Sequence, residues 1–389
     1  MVSFEFATAG RILFGPGRLA DVPAQVAALG VTRVLLVTGL STERSAPLRA
    51  ALVERGIATI PFAVTDEPTL ATAREGVARA FTDGCDGVIA MGGGSPLDAG
   101  KAIAALLANG GDPLDYIEVI GRGRPIQRPS APMIAIPTTA GTGSEVTRNA
   151  VLASPEERVK ASMRSPHMLP RLAVVDPDLL AGAPREVLAS GGLDALSQLI
   201  EPYLSARASP LTDALAAQGI ALSARSLRSA CLDRAADPNA RIDLALASLL
   251  GGLCLANAGL GAVHGFAAPA GGMFDAPHGA VCAALLAASL EVNLRALRER
   301  APDSPSLERM SDVAVWLCGR EEPEAAIDWV RELQSDLDIP GLAAYGMRHS
   351  DLPDLVARAR TASSMRGNPI ALTDEELFEI AEGSLGAAP

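Results

Sequence analysis

Residues 1–184 alternate between short apolar runs and longer segments whose apolar residues recur at helical spacing. The runs VTRVLLVTG (31–39), DGVIAMGGG (86–94) and APMIAIPTT (131–139) have the character of strands buried on both faces, and each ends in Gly or Thr. Ala-rich amphipathic segments such as TLATAREGVARAFTDG (69–84) lie between such runs. This alternation predicts a parallel sheet with helices on both faces, which binds ligands at the carboxyl ends of its strands.

The pattern changes after DPDLLAGAP (176–184). Successive segments such as LTDALAAQGIALSARSLRSACL have helical periodicity, and strand signals nearly vanish. We therefore predict an α/β domain over residues 1–184 and an all-helical domain over residues 185–389. Within the second domain, residues 300–310 (RAPDSPSLERM) are predicted to be an exposed loop.

Composition narrows the class of protein. Apolar residues make up 49% of the chain and charged residues 20%, as in a soluble globular protein. The net charge of -12 disfavours nucleic acid and anionic membranes as partners, because phosphate binding needs a basic face. The five scattered cysteines form no CxxC pair and are predicted to be buried, reduced thiols. With no signal-peptide pattern and no apolar stretch of about 20 residues, we expect a soluble cytoplasmic protein.

A glycine-rich stretch, MGGGSPLDAGKAIA (91–104), follows one predicted strand and opens a helix. Glycines let the backbone approach a ligand closely, and the amides at a helix N-terminus can bind a diphosphate. Ser95 adds a hydroxyl, while Asp98 and Lys101 lie in the first turns of the helix. A glycine turn that merely permits close strand–helix packing would look the same.

A second stretch, IPTTAGTGSEVTRN (136–149), carries four threonines, a serine and two glycines after another strand. Such residues also favour solvent-facing turns. Because both stretches should lie at the same edge of the sheet, we interpret them together as a nucleotide-binding site.

Potential metal ligands occur in two places. Asp194 and Gln198, in GGLDALSQLIEP (191–202), are one helical turn apart. Two of the four histidines, His264 and His278, fall within VHGFAAPAGGMFDAPHG (263–279). A lone histidine in an apolar segment is commonly a core residue, but a pair with an upstream Asp favours a divalent-metal site. His167 and His349 are predicted to be structural or surface residues.

The chain resembles the iron-containing, or group III, alcohol dehydrogenase family along essentially its whole length. The blocks that carry the resemblance are GGGSPLDAGKA, PTTAGTGSEVT, RLAVVDPDLL, GGLDALSQLIEPYLS, NAGLGAVHG, PHGAVCA and GNPIALTDEEL. The family implies a dinucleotide-binding α/β domain, an all-helical domain that holds metal and substrate, a cofactor in the cleft between them, and a homodimer.

The resemblance also implies roles for individual residues. The implied cofactor contacts are Gly93, Gly94 and Ser95 at the diphosphate, Asp98 in support of that loop, Thr138, Thr139 and Thr142 beside the nicotinamide, and Lys160 near the ribose. Met163 and Phe266 are predicted to be walls of the substrate pocket.

The implied metal site departs from the family pattern, which has Asp, His four residues later, and two further histidines fourteen residues apart. Asp194, His264 and His278 match and are the predicted catalytic residues, whereas Gln198 replaces the first histidine. These four residues are predicted to hold Fe²⁺ or Zn²⁺, less tightly than the full family set, because an amide oxygen is neutral and hard. Ala268 stands where many members have a further histidine near the nicotinamide.

The identity of the nicotinamide cofactor is left open as NAD or NADP. NAD-preferring members often have an acid at the end of the second strand, where this chain has Gly39. Ser41 and Arg44 nearby would suit a 2′-phosphate, whereas Glu67 would oppose one.

The predicted activity is reversible hydride transfer between an alcohol and an aldehyde or ketone, with a small-molecule substrate and assistance from a metal. The replaced ligand leaves open a metal-independent reductase of an unsaturated keto acid, as in maleylacetate reductase. A dehydroquinate synthase-like lyase is a weaker alternative, because the helical half is poor in Lys for a phosphorylated substrate. A non-catalytic scaffold is disfavoured by the intact glycine and threonine stretches.

Overall fold

The computed structural model describes residues 3–232, 237–274 and 276–386, which divide into two compact units. The α/β unit comprises residues 7–139 and 143–181. The helical unit comprises the chain from Gly182 onward, together with short segments that include Ala140–Thr142.

The α/β unit is built on eight strands in the described residues. They are β1 (Ile12–Phe14), β2 (Arg33–Thr38), β3 (Ala58–Ala63), β4 (Gly87–Gly92), β5 (Met133–Pro137), β6 (Asn149–Ser154), β7 (Val159–Arg164) and β8 (Leu172–Val175). Six of them form a parallel sheet in the order β1-β8-β5-β4-β2-β3, while β6 and β7 form a separate antiparallel pair. The predicted parallel sheet is confirmed.

Helices cover both faces of this sheet. They are α1 (Val22–Ala28), α2 (Ala46–Glu54), α3 (Leu70–Thr82) and α4 (Gly94–Asn109), while the short α5 (Pro113–Tyr116) contacts α3 and β7. Alternate residues of β2 enter different cores: Leu36 packs in the cluster that contains Leu48 of α2, and Leu35 packs in the cluster that contains Leu97 of α4. This arrangement explains why the central strands are apolar at every position.

The helical unit contains no strand among the described residues. Its helices are α6 (Arg185–Leu204), α7 (Pro210–Leu232), α8 (Pro238–Ala258), α9 (Ala262–Phe274), α10 (His278–Arg300), α11 (Pro305–Cys318), α12 (Pro323–Asp336), α13 (Leu352–Thr361) and α14 (Asp374–Gly383). By length and composition α8 and α10 could cross a membrane, but 61% and 78% of their most apolar windows are buried inside the protein. Such burial is typical of core helices in a soluble protein.

Two sequence-based predictions need correction. The predicted loop over residues 300–310 is confined to the four residues between α10 and α11, because Ser304 caps α11 by accepting a hydrogen bond from the amide of Ser306. The cysteines are free as predicted, but Cys318 is exposed rather than buried, since it lies at the end of α11.

Candidate functional site

One face of α6 carries three buried polar side chains. Asp194, Gln198 and Glu201 follow at intervals of four and three residues, and their exposed fractions are 1%, 2% and 8%. This spacing places all three on the same side of the helix. Buried polar groups in such a row need partners from neighbouring helices.

The two predicted histidines meet Asp194. Nε2 of His264, on α9, lies 3.3 Å from Oδ1 of Asp194, and Nε2 of His278, the first residue of α10, lies 3.8 Å from the same oxygen. Cys282, one turn further along α10, joins them with its sulfur 3.8 Å from His264 Nε2 and 3.6 Å from His278 Nε2. The four potential ligand atoms lie within 4.8 Å of one another.

Glu201 fixes the orientation of His264. Its Oε2 lies 2.6 Å from His264 Nδ1, and its Oε1 accepts a hydrogen bond from the amide of Val263 at 2.7 Å. A carboxylate at Nδ1 keeps the hydrogen there and leaves Nε2 free to bind a metal. Sequence reasoning missed this role, although Glu201 lies seven residues after Asp194, on the same helical face.

The electrostatics of the cluster favour positive charge. Burial alone lowers the pKa of His278, but Cys282 and Asp194 outweigh it and raise this pKa to about 9. Burial also lowers the pKa of His264, yet Cys282 and Glu201 raise it well above its ordinary value. Anionic groups that stabilise an imidazolium also stabilise a metal cation.

Two buried oxygens at this site, Oδ1 of Asp194 and Oε1 of Gln198, have no well-aligned hydrogen bond among the described residues, although Oδ1 lies within ion-pair distance of both histidines. Leaving a buried acceptor unpaired costs about 1–3 kcal/mol, and more when it is charged. A divalent cation would satisfy both oxygens, and the two Nε2 atoms supply the nitrogen donors that Fe²⁺ and Zn²⁺ accept. The residues present therefore fit the metal that the family resemblance implies.

The glycine stretch in the α/β unit turns sharply from β4 into α4. A Cβ on Gly92 would lie 2.6 Å from the ring of Pro96, and a Cβ on Gly93 would lie 3.4 Å from the side chain of Thr139. A larger residue at position 92 would therefore clash with Pro96, whereas a Cβ at position 93 would only touch Thr139. Because α4 begins at Gly94 without a side-chain cap, its first amides are available to a diphosphate.

Asp98 and Lys101 of α4 hold the two predicted cofactor stretches together. The Asp98 carboxylate accepts hydrogen bonds from the Ser144 hydroxyl at 2.5 Å and from the amide of Val151 at 3.0 Å. The buried Nζ of Lys101 donates to the Ser144 carbonyl and to the Thr147 hydroxyl, both at 3.0 Å. Both side chains are engaged by protein groups, so they position the loops.

Glu145, in the threonine stretch, is a buried acid that sequence reasoning did not single out. Its exposed fraction is 2%, and burial raises its pKa to about 7, although Lys101 acts in the opposite direction. A neutral carboxyl group is therefore favoured there at low pH.

The remaining residues that were predicted to contact the cofactor or substrate lie in several different segments of the chain. Thr138 donates its amide to the Gly92 carbonyl at 2.9 Å, whereas Thr142 belongs to the segment grouped with the helical unit. Lys160, on β7, forms a 3.1 Å ion pair with Glu67. Both predicted pocket walls are fully buried: Met163 lies in a core cluster of the α/β unit, and Phe266 lies on α9.

The turn after β2 was expected to suit the 2′-phosphate of NADP, but its arginine has other partners. A Cβ on Gly39 would lie 3.8 Å from Pro96, so this turn adjoins the glycine stretch. The Arg44 guanidinium donates hydrogen bonds to the carbonyls of Leu179 and Ala181. It is therefore committed to a backbone loop within its own unit.

Comparison with known proteins identifies the family of the chain. Residues 9–177 match the family described as iron-containing alcohol dehydrogenase, and residues 188–385 match its C-terminal domain. Alcohol dehydrogenase 4 of Schizosaccharomyces pombe is 35% identical over 379 residues, which cover 96% of this chain and 87% of the relative.

Two solved structures are also similar. A 1,3-propanediol oxidoreductase has a TM-score of 0.90 and 32% identity, with 98% of this chain and 100% of that chain covered. A sulfoacetaldehyde reductase from Bifidobacterium kashiwanohense in complex with NAD⁺ has a TM-score of 0.86 and 27% identity, with 99% and 100% covered.

These matches confirm the predicted family, fold class and type of activity. The chain belongs to the iron-containing alcohol dehydrogenase family and is an oxidoreductase that interconverts alcohols and carbonyl compounds.

Proposed function

We propose that this enzyme interconverts a small primary alcohol and its aldehyde at a metal centre held by Asp194, Gln198, His264 and His278. The observation that carries the proposal is the convergence of Asp194 Oδ1 with two imidazole Nε2 atoms, while the buried oxygens of Asp194 and Gln198 have no well-aligned hydrogen bond in the described residues. The names of the relatives, 1,3-propanediol oxidoreductase and sulfoacetaldehyde reductase, support a small substrate.

The chain contributes binding and orientation. When bound, the metal supplies Lewis-acid polarisation of the substrate oxygen. Glu201 holds His264 in the tautomer that presents Nε2. Gly93, Gly94 and Ser95, at the start of α4, bind the cofactor diphosphate, and Asp98 ties that helix to the threonine stretch. The cofactor, when bound, would supply the hydride donor or acceptor for the substrate carbon. Because residue 268 is Ala, this position offers no side chain that could carry the substrate proton, which would leave by way of the cofactor ribose or water.

We further propose NAD rather than NADP as the preferred cofactor, with Gly39, Thr138, Thr139, Thr142 and Lys160 as further contacts. Arg44, the cation that would suit a 2′-phosphate, is bound to backbone carbonyls, and Lys160, expected near the ribose, is paired with Glu67.

The test begins with the metal content of protein purified anaerobically without a chelating tag, measured by mass spectrometry. We expect nearly one iron or zinc per chain in the wild type and its loss, together with loss of aldehyde reduction, in Asp194→Ala and His264→Ala. NADH binding, followed by fluorescence, should persist in both variants, because the diphosphate loop lies in the other unit. His349→Ala is the matched control, since His349 is exposed and pairs with Glu382.

Either of two results would contradict the proposal. Turnover in metal-free wild-type protein would point to a metal-independent reductase of the maleylacetate type. Full activity in Asp194→Ala would remove the proposed centre from the reaction.

We also propose the domain boundaries, the oligomeric state and the cellular location. We propose residues 1–184 as the dinucleotide-binding domain and residues 185–389 as the metal and substrate domain, supported by the start of α6 at Arg185. A homodimer rests on the family resemblance. A cytoplasmic location is supported by the free cysteines, which suit a reducing compartment.

A further inference from the structure

We propose that Cys282 binds the metal as a thiolate and that its sulfur shifts the metal preference of this centre from Fe²⁺ toward Zn²⁺. The inference rests on the proposed function, because it requires a metal at Asp194, His264 and His278. It assigns to Cys282 the strong donor that Gln198, with its neutral amide, does not supply.

The placement of Cys282 follows from α10. His278 and Cys282 are four residues apart, so both side chains project from one face of this helix. Cys282 is fully buried, and its sulfur faces the Nε2 atoms of both histidines. Those nitrogens are the atoms available to a metal, because Glu201 occupies Nδ1 of His264.

The separations between donor atoms match those around a zinc ion. With metal–ligand distances of about 2.0–2.3 Å, a tetrahedral site has N···O edges of roughly 3.4 Å and N···S edges of roughly 3.6 Å. In this cluster the N···O separations are 3.3 and 3.8 Å, and the N···S separations are 3.8 and 3.6 Å. One ion can therefore contact all four atoms after small shifts of the side chains, and because zinc can accept a fifth ligand, a position remains for the substrate oxygen when Cys282 rather than Gln198 completes the set.

The chemistry of the sulfur determines which metal ion the centre binds more tightly. Thiolates are soft donors that suit zinc, whereas carboxylates and amide oxygens are hard. A thiol that coordinates a divalent cation is deprotonated by it, so Cys282 and Asp194 would together supply two negative charges to the bound ion. The thiolate thereby compensates for the weak amide of Gln198.

Cobalt substitution tests direct ligation. The full-length protein is stripped of metal, reloaded with Co²⁺ under anaerobic conditions and examined by absorption spectroscopy. We expect visible d–d bands together with a near-ultraviolet thiolate-to-cobalt charge-transfer band, and we expect Cys282→Ser to lose only the latter. Cys282→Ala serves as a second variant if the serine protein folds poorly. Cys254→Ser is the matched control, because Cys254 is also buried but bonds to the Thr212 carbonyl.

The possible outcomes separate this inference from the proposed function. Cobalt d–d bands without a charge-transfer band, or a band that survives in both Cys282 variants, would overturn the thiolate ligand while leaving the metal centre in place. No cobalt binding at all would overturn both proposals.

Metal competition tests the selectivity. Metal-free wild type and variants are equilibrated with equimolar Fe²⁺ and Zn²⁺, and the bound metals are counted. We expect Cys282→Ser to lower the zinc-to-iron ratio by about tenfold or more, and Gln198→Ala to lower it much less. An unchanged ratio in Cys282→Ser would refute the proposed preference for zinc.

Discussion

At the scale of single residues, Glu201 acts on the metal centre through another side chain. Its carboxylate lies 2.6 Å from Nδ1 of His264, so Glu201→Gln removes the negative charge that orients and polarises the ring. We expect zinc affinity, measured by competition with a chelator, to fall by about 10–100-fold. In the metal-free state, Glu201→Gln and the wild type should unfold at similar temperatures.

A second histidine–carboxylate pair offers a matched control for that experiment. His349 and Glu382 lie 3.0 Å apart but are 65% and 53% exposed, and neither belongs to the cluster of potential ligands. Glu382→Gln should therefore leave zinc affinity unchanged. Equal losses in the two variants would mean that Glu201 has no specific influence on the metal.

Glu145 should make stability depend on pH. Burial raises its pKa from 4.5 to about 7, so between these values the native protein holds a proton that the unfolded chain releases. The free energy of unfolding should therefore fall as pH rises through this window. Glu145→Gln should remove this dependence and gain roughly 3 kcal/mol above pH 7, measured by urea denaturation. If the free energy of unfolding of the wild type and of Glu145→Gln changed with pH in the same way, burial would not raise the pKa of Glu145 as stated.

At the scale of elements, the contact between α4 and β4 determines how the glycine loop is held. A Cβ on Gly100 would lie 2.6 Å from the Cβ of Ala90, so Gly100→Ala must push the helix away from the sheet. We expect this substitution to cost about 1–3 kcal/mol of stability by urea denaturation and to weaken NAD binding.

Gly383→Ala, in α14, is the contrasting variant. A Cβ there would lie 3.5 Å from Ala288, an ordinary contact, and Ala favours helix over Gly by about 0.5–1 kcal/mol in helix interiors. This variant should be neutral or slightly more stable. Similar losses in both glycine variants would show that packing against β4 is not the cause.

How far the elements could be predicted depends on where each one lies. The central strands β2, β4 and β5 are continuous apolar runs because both faces are covered, and such runs are legible in sequence. Edge strand β3 was missed because its burial is partial and it contains Pro61, which is tolerated at an edge. The pair β6–β7 alternates buried and half-buried positions around polar residues, a weak signal.

The candidate site could also be predicted only where its residues are close in sequence. One-turn spacing on α6 identified Asp194 and Gln198 as neighbours, because helical geometry is local. The contacts of Cys282 with two histidines and of Glu201 with His264 join different helices. Tertiary packing of α6, α9 and α10 creates them, and periodicity within one segment carries no information about it.

At the scale of the whole molecule, charge and cofactor choice are linked. The chain carries a net charge of -12, which disfavours the extra phosphate of NADP unless cations are held ready for it. Arg44 is instead bonded to the carbonyls of Leu179 and Ala181, and Lys160 is bonded to Glu67. In the described part of the chain, both cations that sequence analysis placed beside the cofactor are thus engaged by protein groups.

Global unfolding can report this preference, because a ligand that binds only the native state raises stability by about 2.7 kcal/mol at a hundred times its Kd. At equal concentrations we expect NAD⁺ to raise the unfolding temperature more than NADP⁺ does. Arg44→Ala should lower the starting temperature, since two carbonyls lose their donor, while leaving the difference between the cofactors unchanged. If NADP⁺ stabilises the wild type as much as NAD⁺ and loses that effect in Arg44→Ala, then Arg44 leaves its carbonyls to bind the 2′-phosphate, and the preference for NAD is wrong.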